Sequence, residues 1–297
     1  MTDFPTFVKV LAGIGGANPL AATVFAEIER ISGRKPSVDA LGSLSVCIGD
    51  GAKRICVMCP LDAPSLAVTF IESDGGIPVH PLGACDANDR VVSTRTRRGV
   101  AHDGMAVFGF SSREEAEKEI AIGDTLYFAE EAKVCGDGVC AVSGGMKAGV
   151  YAALLLMERL MAGIPDGLRV IFSFVSQSAL SFRGEAPAAV NADAAELIYL
   201  AADEREDFGL LAADKNGAYD EGLLLRLECA AKAAGIPAER VADGDKTFGA
   251  SAAAGGGRTV KTAALLVPFG TACKPLETVK TGIPEKTAEV VYRFLTA

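Results

Sequence analysis

The 297-residue chain switches its hydrophobic pattern twice, and no single repeating layer can accommodate both patterns. From Leu66 to Phe128 the apolar runs are short: Leu66–Ile71, Ile77–His80, Val91–Ser93, Met105–Phe110 and Thr125–Phe128. Gly, Asp and Asn turns divide them, which predicts a small all-β module. On either side the runs are longer and alternate in period. Pro19 to Ser32 places Leu20, Val24, Phe25, Ile28 and Ile31 at helical spacing, with Asn18 as N-cap, Pro19 at the first helical position and Gly33 as the stop. Leu44–Ile48 and Ile55–Leu61 read as strands joined by Gly49-Asp50-Gly51. After Val142 the order is a strongly apolar helix (Lys147–Met161), buried strands (Leu168–Val175, Leu197–Ala202), an amphipathic helix (Glu221–Ala234), a strand (Ala263–Pro268) and a last helix (Pro284–Thr296). Such alternation predicts an α/β domain with a mixed, mostly parallel sheet covered by helices. The expected division is an α/β domain from residues 1–65 and 137–297, with residues 66–136 inserted as the β module. Ser111 and Glu114 predict a capping box opening a short helix inside that module.

Composition narrows the function classes. With 29 Lys and Arg against 38 Asp and Glu, the net charge is −9, which excludes a nucleic-acid backbone binder. The longest apolar run, Val150–Met157, stops at Glu158, far short of the about 18 residues that span a bilayer. The first residues lack a basic stretch followed by an apolar one, so a cytoplasmic protein with no membrane partner is expected. In that setting the eight cysteines are reduced thiols. Cys56-Val57-Met58-Cys59 has chelating spacing but lies in a strand-like run, so it reads as core; Cys135 and Cys140 do not complete a second tight pair. The two histidines, His80 and His102, fall between short strands and read as exposed and idle. Gly13–Gly16, Gly144-Gly145 and Gly255–Gly257 fit no phosphate-loop pattern and read as turns, and Asp203-Glu204-Arg205-Glu206-Asp207 reads as a solvated loop.

Four stretches carry a family resemblance. They are Asp39-Ala40-Leu41-Gly42-Ser43-Leu44; Phe108 to Glu117 followed by Ile122-Gly123-Asp124; Phe174 to Gly184, which keeps Gln177, Arg183 and Gly184 in frame; and Pro268 to Glu277, which keeps the spacing of Pro268, Pro275 and Glu277. Together they resemble the glutamyl/deblocking (tetrahedral) aminopeptidases, a family of cocatalytic metallopeptidases. The resemblance covers nearly the whole chain. It implies a zinc-aminopeptidase-like sheet with a barrel or PDZ-like module, homo-oligomers assembled through that module, and two divalent metals, Zn or Co, beside a glutamate base.

Carried over residue by residue, the resemblance removes those ligands. Pro60 stands at the first histidine, and only the supporting Asp62 of that motif remains. Gly145 stands at the bridging aspartate, Ser178 and Ala179 at the base and the glutamate ligand, and Cys273 at the last histidine. The remaining aspartate ligand falls near Ala201-Ala202, with Asp203 one step out of register. Proline, glycine and alanine carry no side-chain donor, and serine is a poor ligand for transition metals. No catalytic residue, metal ligand or cofactor is therefore expected. The chain reads as a binding or assembly pseudo-enzyme with a peptide or amino-acid ligand. The alternative is a hydrolase with replacement chemistry, in which Cys273 is the nucleophile beside Cys59, Asp62 and Ser178; a thiol there needs an activating neighbour, and Lys274 is adjacent.

Overall fold

The computed structural model describes residues 2–13, 19–83, 85, 87–94, 97–129, 131–256, 260–273 and 276–297, with Ala272 and Cys273 described in backbone only. Two helices come first, α1 (Phe4–Gly13) and α2 (Pro19–Ser32). The predicted α2 holds to the residue: Leu20, Val24 and Ile28 are buried at four-residue spacing, and Gly33 takes φ +66° just past its end. Asn18, expected as its cap, lies outside the described residues. α1 was not expected. It buries Phe4, Phe7, Val8 and Leu11, and both phenylalanine rings pack within 5.5 Å of Tyr151.

Strands β1 (Ser37–Val38), β2 (Leu44–Ile48) and β3 (Lys53–Pro60) follow, and the chain then leaves the sheet. β4 (Ser65–Val68), β5 (Ile77–Leu82), β6 (Arg90–Ser93), β7 (Arg98–His102), β8 (Met105–Val107) and β9 (Thr125–Phe128) close a barrel in the order β4-β5-β8-β7-β6-β9. Closure removes sheet edges and gives the module its own core of Leu66, Val68, Ile77, Ala101, Ala106 and Leu126. The short helix α3 (Arg113–Ala116) lies within it, and the expected cap moves by one residue. Ser112 is the N-cap and accepts from Glu115 N–H at 3.3 Å, while the Glu115 carboxylate reaches back to the Ser111 amide at 2.9 Å. His80 and His102 are exposed strand residues, and His102 Nδ1 lies 2.9 Å from Asp89.

The sheet resumes earlier than residue 137, at β10 (Ala132–Cys135), which pairs with β11 (Gly138–Val142). The chain continues through α4 (Gly144–Ala162), β12 (Leu168–Val175), α5 (Glu185–Ala192), β13 (Glu196–Glu204), β14 (Phe208–Asp214), β15 (Gly217–Ala218), α6 (Glu221–Ala233), β16 (Ala238–Asp243), α7 (Gly249–Ala254), β17 (Lys261–Cys273), β18 (Leu276–Lys280) and α8 (Ile283–Thr296). Neighbours run β1-β2-β12-β3-β13-β17-β18-β11-β10, with β14 branching from β17 and pairing in turn with β15 and β16. The centre, β12-β3-β13-β17, is parallel; β1, β2, β18, β11 and β10 flank it antiparallel.

Being covered on both faces, the central strands are almost wholly apolar. α4 packs on one face with α2 and α8 against it, which is why it is buried nearly all round. α5 and α7 cover the other face over a separate core. Strand alternation sends Cys56 to the second core and Cys59 to the first, so the two thiols face opposite sides of the sheet. Cys135 and Cys140 sit at the far edge hairpin β10–β11. Among the described residues, no helix is long and apolar enough to cross a membrane.

Candidate functional site

In open α/β sheets, ligands collect in the crevice outside the carboxyl ends of the strands. Here β12, β3, β13 and β17 end on a cleft of about 630 Å³ whose apolar surface comes from Pro60, Met146, Ala179, Phe182, Phe248 and Phe269. The barrel reaches this cleft as well. Gly83, at φ +88°, borders it so closely that a Cβ there would lie 3.3 Å from Ala179 and 3.4 Å from Pro64.

One wall is the segment after β12. Gln177, Ser181 and Phe182 take left-handed φ values of +62°, +55° and +58°, conformations that cost a non-glycine residue about 1 kcal/mol or more. The Gln177 side-chain oxygen is buried without a partner. Asp62 fastens the segment: its Oδ1 accepts from the Ser178 amide and its Oδ2 from the Ala179 amide, both at 3.1 Å. Burial pushes the Asp62 carboxyl up, and the two backbone N–H groups pull it partly back.

Behind this wall is Glu185, whose side chain has no exposure to solvent. Its Oε1 accepts from the Ser178 hydroxyl and, at 3.0 Å, from the Tyr199 hydroxyl. Its Oε2 is buried with no partner. Burial pushes the carboxyl up to about 7, against the pull of the two hydroxyls and with the Asp62 charge adding to the rise. The Tyr199 phenol is held well above its ordinary value by burial and by the Glu185 charge. The ring of Tyr199 fits only because residue 249 is glycine: a Cβ there would meet the phenol oxygen at 2.1 Å.

The opposite wall is charge-compensated. Asp203 does not belong to a solvated loop; it is on β13, lines the cleft and is 13% exposed. Lys246 Nζ lies 3.1 Å from its Oδ1, and Arg205 lies 3.7 Å from its Oδ2. That hydrogen bond to Asp203 holds the Lys246 ammonium above its ordinary value. Glu277 completes the rim, its Oε2 accepting from the Gly145 amide at 2.9 Å, at the start of α4 where N–H groups lack helical partners.

Of the positions singled out from sequence, Pro60, Asp62, Ser178 and Ala179 line this one cleft. Gly145 lies beside it under Phe269. The backbone of Cys273 ends β17 opposite Leu276, and its side chain lies outside the described residues. Cys59 is buried behind Pro60 rather than in the cleft, and burial drives its thiol far up; the Cys56 thiol is pushed up to about 12. Neither is an activated nucleophile. Sequence reasoning missed Glu185 and Tyr199, because a lone glutamate before an alanine-rich helix and a tyrosine in an apolar strand carry no signal of their pairing.

No family model matches the sequence, and no curated protein matches it. Solved structures do. A TET aminopeptidase from the marine sediment archaeon Thaumarchaeota archaeon SCGC AB-539-E09 superposes with a TM-score of 0.88 at 18% identity, over 99% of this chain and 97% of that one. The TET1 peptidase of Pyrococcus horikoshii, which can assemble into a tetrahedron or a large octahedral shell, gives 0.83 at 22% identity over 98% of both chains. An aminopeptidase of the archaeon Desulfurococcus kamchatkensis gives 0.84 at 18% identity, over 98% of this chain and 94% of that one.

The chain has the TET aminopeptidase fold.

The TET aminopeptidase fold raises the question of two divalent metals, and the residues present do not fit them. Pro60, Gly145 and Ala179 offer no donor, and the Ser178 hydroxyl is committed to Glu185. A side chain at residue 145 would begin 2.5 Å from the Phe269 ring and 3.0 Å from Ala202 Cβ, so an aromatic ring takes the space in front of that position. Among the described residues, no three His, Cys, Asp or Glu side chains converge as a metal-holding group. What remains is an apolar cleft with one charge-compensated carboxylate, Asp203, and an acidic pair, Asp62 and Glu185, held by neutral donors.

Proposed function

We propose that this chain is a relative of the TET aminopeptidases that no longer performs metal-dependent peptide hydrolysis and keeps its cleft as a binding pocket. The observation that carries this reading is the Phe269 ring packed over Gly145, where the resemblance would put the bridging carboxylate. Metal-assisted hydrolysis needs ions that acidify a water and polarise a carbonyl, and a carboxylate cannot reach that point past the ring. A cleft of about 630 Å³ with apolar walls and few polar groups suits a small organic ligand, including a short peptide or an amino acid.

The same reading makes the molecule a cytoplasmic homo-oligomer. On the barrel, Val91, Val100 and Val107 are exposed and lie side by side across β6, β7 and β8, in register Val91↔Val100 and Val100↔Val107. A valine stripe on adjacent strands suits a self-complementary contact. The Pyrococcus horikoshii relative, with the same fold, can assemble into closed shells.

The deciding measurement is the metal content of full-length protein purified without chelator and incubated with zinc, cobalt or manganese, together with hydrolysis of aminoacyl and peptidyl p-nitroanilides. No stoichiometric metal and no metal-stimulated hydrolysis are expected. Two tightly held ions per chain with metal-dependent turnover would overturn the reading.

A further inference from the structure

The Asp62 end of the cleft has a hydrogen-bonding polarity that selects a ligand. Asp62, Ser178 and Tyr199 all line it. An ionised Asp62 only accepts hydrogen bonds. Ser178 and Tyr199 each have a single hydroxyl proton, and with Glu185 ionised both protons are directed away from the cleft, onto Glu185 Oε1. Toward the cleft the wall therefore presents lone pairs, and a ligand that satisfies them must bring donors.

It must also bring positive charge. Glu185 is fully buried, sits one hydrogen bond behind the wall and has an unpartnered Oε2. Among the described residues, neither Asp62 nor Glu185 has a cation within ion-pair distance, whereas Asp203 across the cleft has Lys246 at 3.1 Å. The cleft thus already holds one ammonium against a carboxylate, its own, and lacks the counterpart at the other end. The cleft is also lined by Met146, Ala202, Phe248 and Phe269, which suit an apolar body.

We propose that this cleft binds a small organic ammonium, with the cationic head donating to Asp62 and Ser178 and an apolar body lying against Phe248 and Phe269. The inference rests on reading the cleft as a binding pocket. It requires more than that reading does, since a pocket of this size lined by neutral groups would show no preference for charge. An ammonium supplies three donors and one positive charge, matching the acceptor-only wall on both counts.

The test is titration calorimetry on full-length protein with three near-isosteric probes: phenethylamine, 2-phenylethanol and phenylacetate. The amine should bind at least tenfold tighter than the alcohol at pH 8, and the carboxylate should not bind. Asp62→Asn should weaken the amine tenfold or more. Glu185→Gln keeps an acceptor for both hydroxyls but removes the charge, and should weaken it several-fold while leaving the alcohol unchanged. Amine affinity should also rise from pH 6 to 8 as Glu185 ionises; the other groups facing the cleft are the carboxyls of Asp62, Asp203, Glu204 and Glu277, the Lys246 ammonium and the Tyr199 phenol. Equal binding of amine and alcohol, preference for the carboxylate, or unaltered amine binding in both variants would overturn the proposal. The wild-type probe series needs no variant to fold. Metal content, measured separately, distinguishes failure of this inference from failure of the pseudo-enzyme reading.

Discussion

Two segments leave the sheet in the same way and then follow opposite rules. After β11, Ser143 turns left-handed at φ +50°, and the chain coils at once into α4, which is buried along nearly its whole length. After β12, Gln177 turns left-handed at φ +62°, but two more left-handed residues and a carboxylate clamp precede the start of α5 at Glu185. The first segment is held by apolar area, a non-directional force that favours regular helix. The second is held by hydrogen bonds that particular N–H and O–H groups donate to Asp62 and Glu185, so its shape is specified by polar groups at the expense of burial. Stability concentrates in one and chemical selectivity in the other.

The largest effect that would sharpen this contrast is on the α4 side. Leu154, on α4, is fully buried, and Leu154→Ala should cost about 2–5 kcal/mol of unfolding free energy, read from urea denaturation, with the cleft hydrogen bonds retained. On the clamp side the effect should depend on pH. Glu185 has its carboxyl raised from 4.5 to about 7, so the protonated form favours folding. Its contribution is complete below about pH 4.5 and is lost as pH rises through 7, amounting to about 3 kcal/mol at most. Glu185→Gln should therefore gain stability relative to the parent between pH 5 and pH 8 in parallel melts. An unchanged difference across that range would show that the buried carboxyl does not set the cost.

The smallest effect lies where the two segments' surroundings meet. At a free helical position glycine to alanine gains about 1 kcal/mol, but at residue 145 the new Cβ lies 2.5 Å from the Phe269 ring. Gly145→Ala should be destabilising by about 1–2 kcal/mol. In a Phe269→Ala background that penalty should vanish or reverse, which a double-mutant cycle would read directly.

Sequence was most informative where one force dominates. The α2 boundaries, β2, β12 and the start of α6 at Glu221 follow from apolar periodicity and simple stops, and all stand as expected. α1 escaped: it is held by burial of Phe4, Phe7, Val8 and Leu11, with both phenylalanine rings against Tyr151. The cap of α3 moved by one residue because Ser111 and Ser112 offer equivalent hydroxyls and only the backbone decides between them. At the site, Pro60, Asp62, Ser178 and Ala179 were legible through the motif frame and do share a cleft. Glu185 was not, since glutamate is rarely found fully buried and its partners lie 7 and 14 residues away, on either side along the chain. Asp203 was misplaced for the related reason that a run of charges reads as solvent-facing until a strand carries its first member into a cleft.

Gly83 gives the barrel a mechanical role. A Cβ at residue 83 would lie 3.3 Å from Ala179 and 3.4 Å from Pro64, and Ala179 is one of the two residues through which Asp62 grips the cleft wall. Close-packed contacts transmit displacement with little slack. Glycine at residue 83 is thus a spacer: any side chain there would be pressed into the wall that shapes the pocket, so the pocket's form depends on an atom the barrel does not carry.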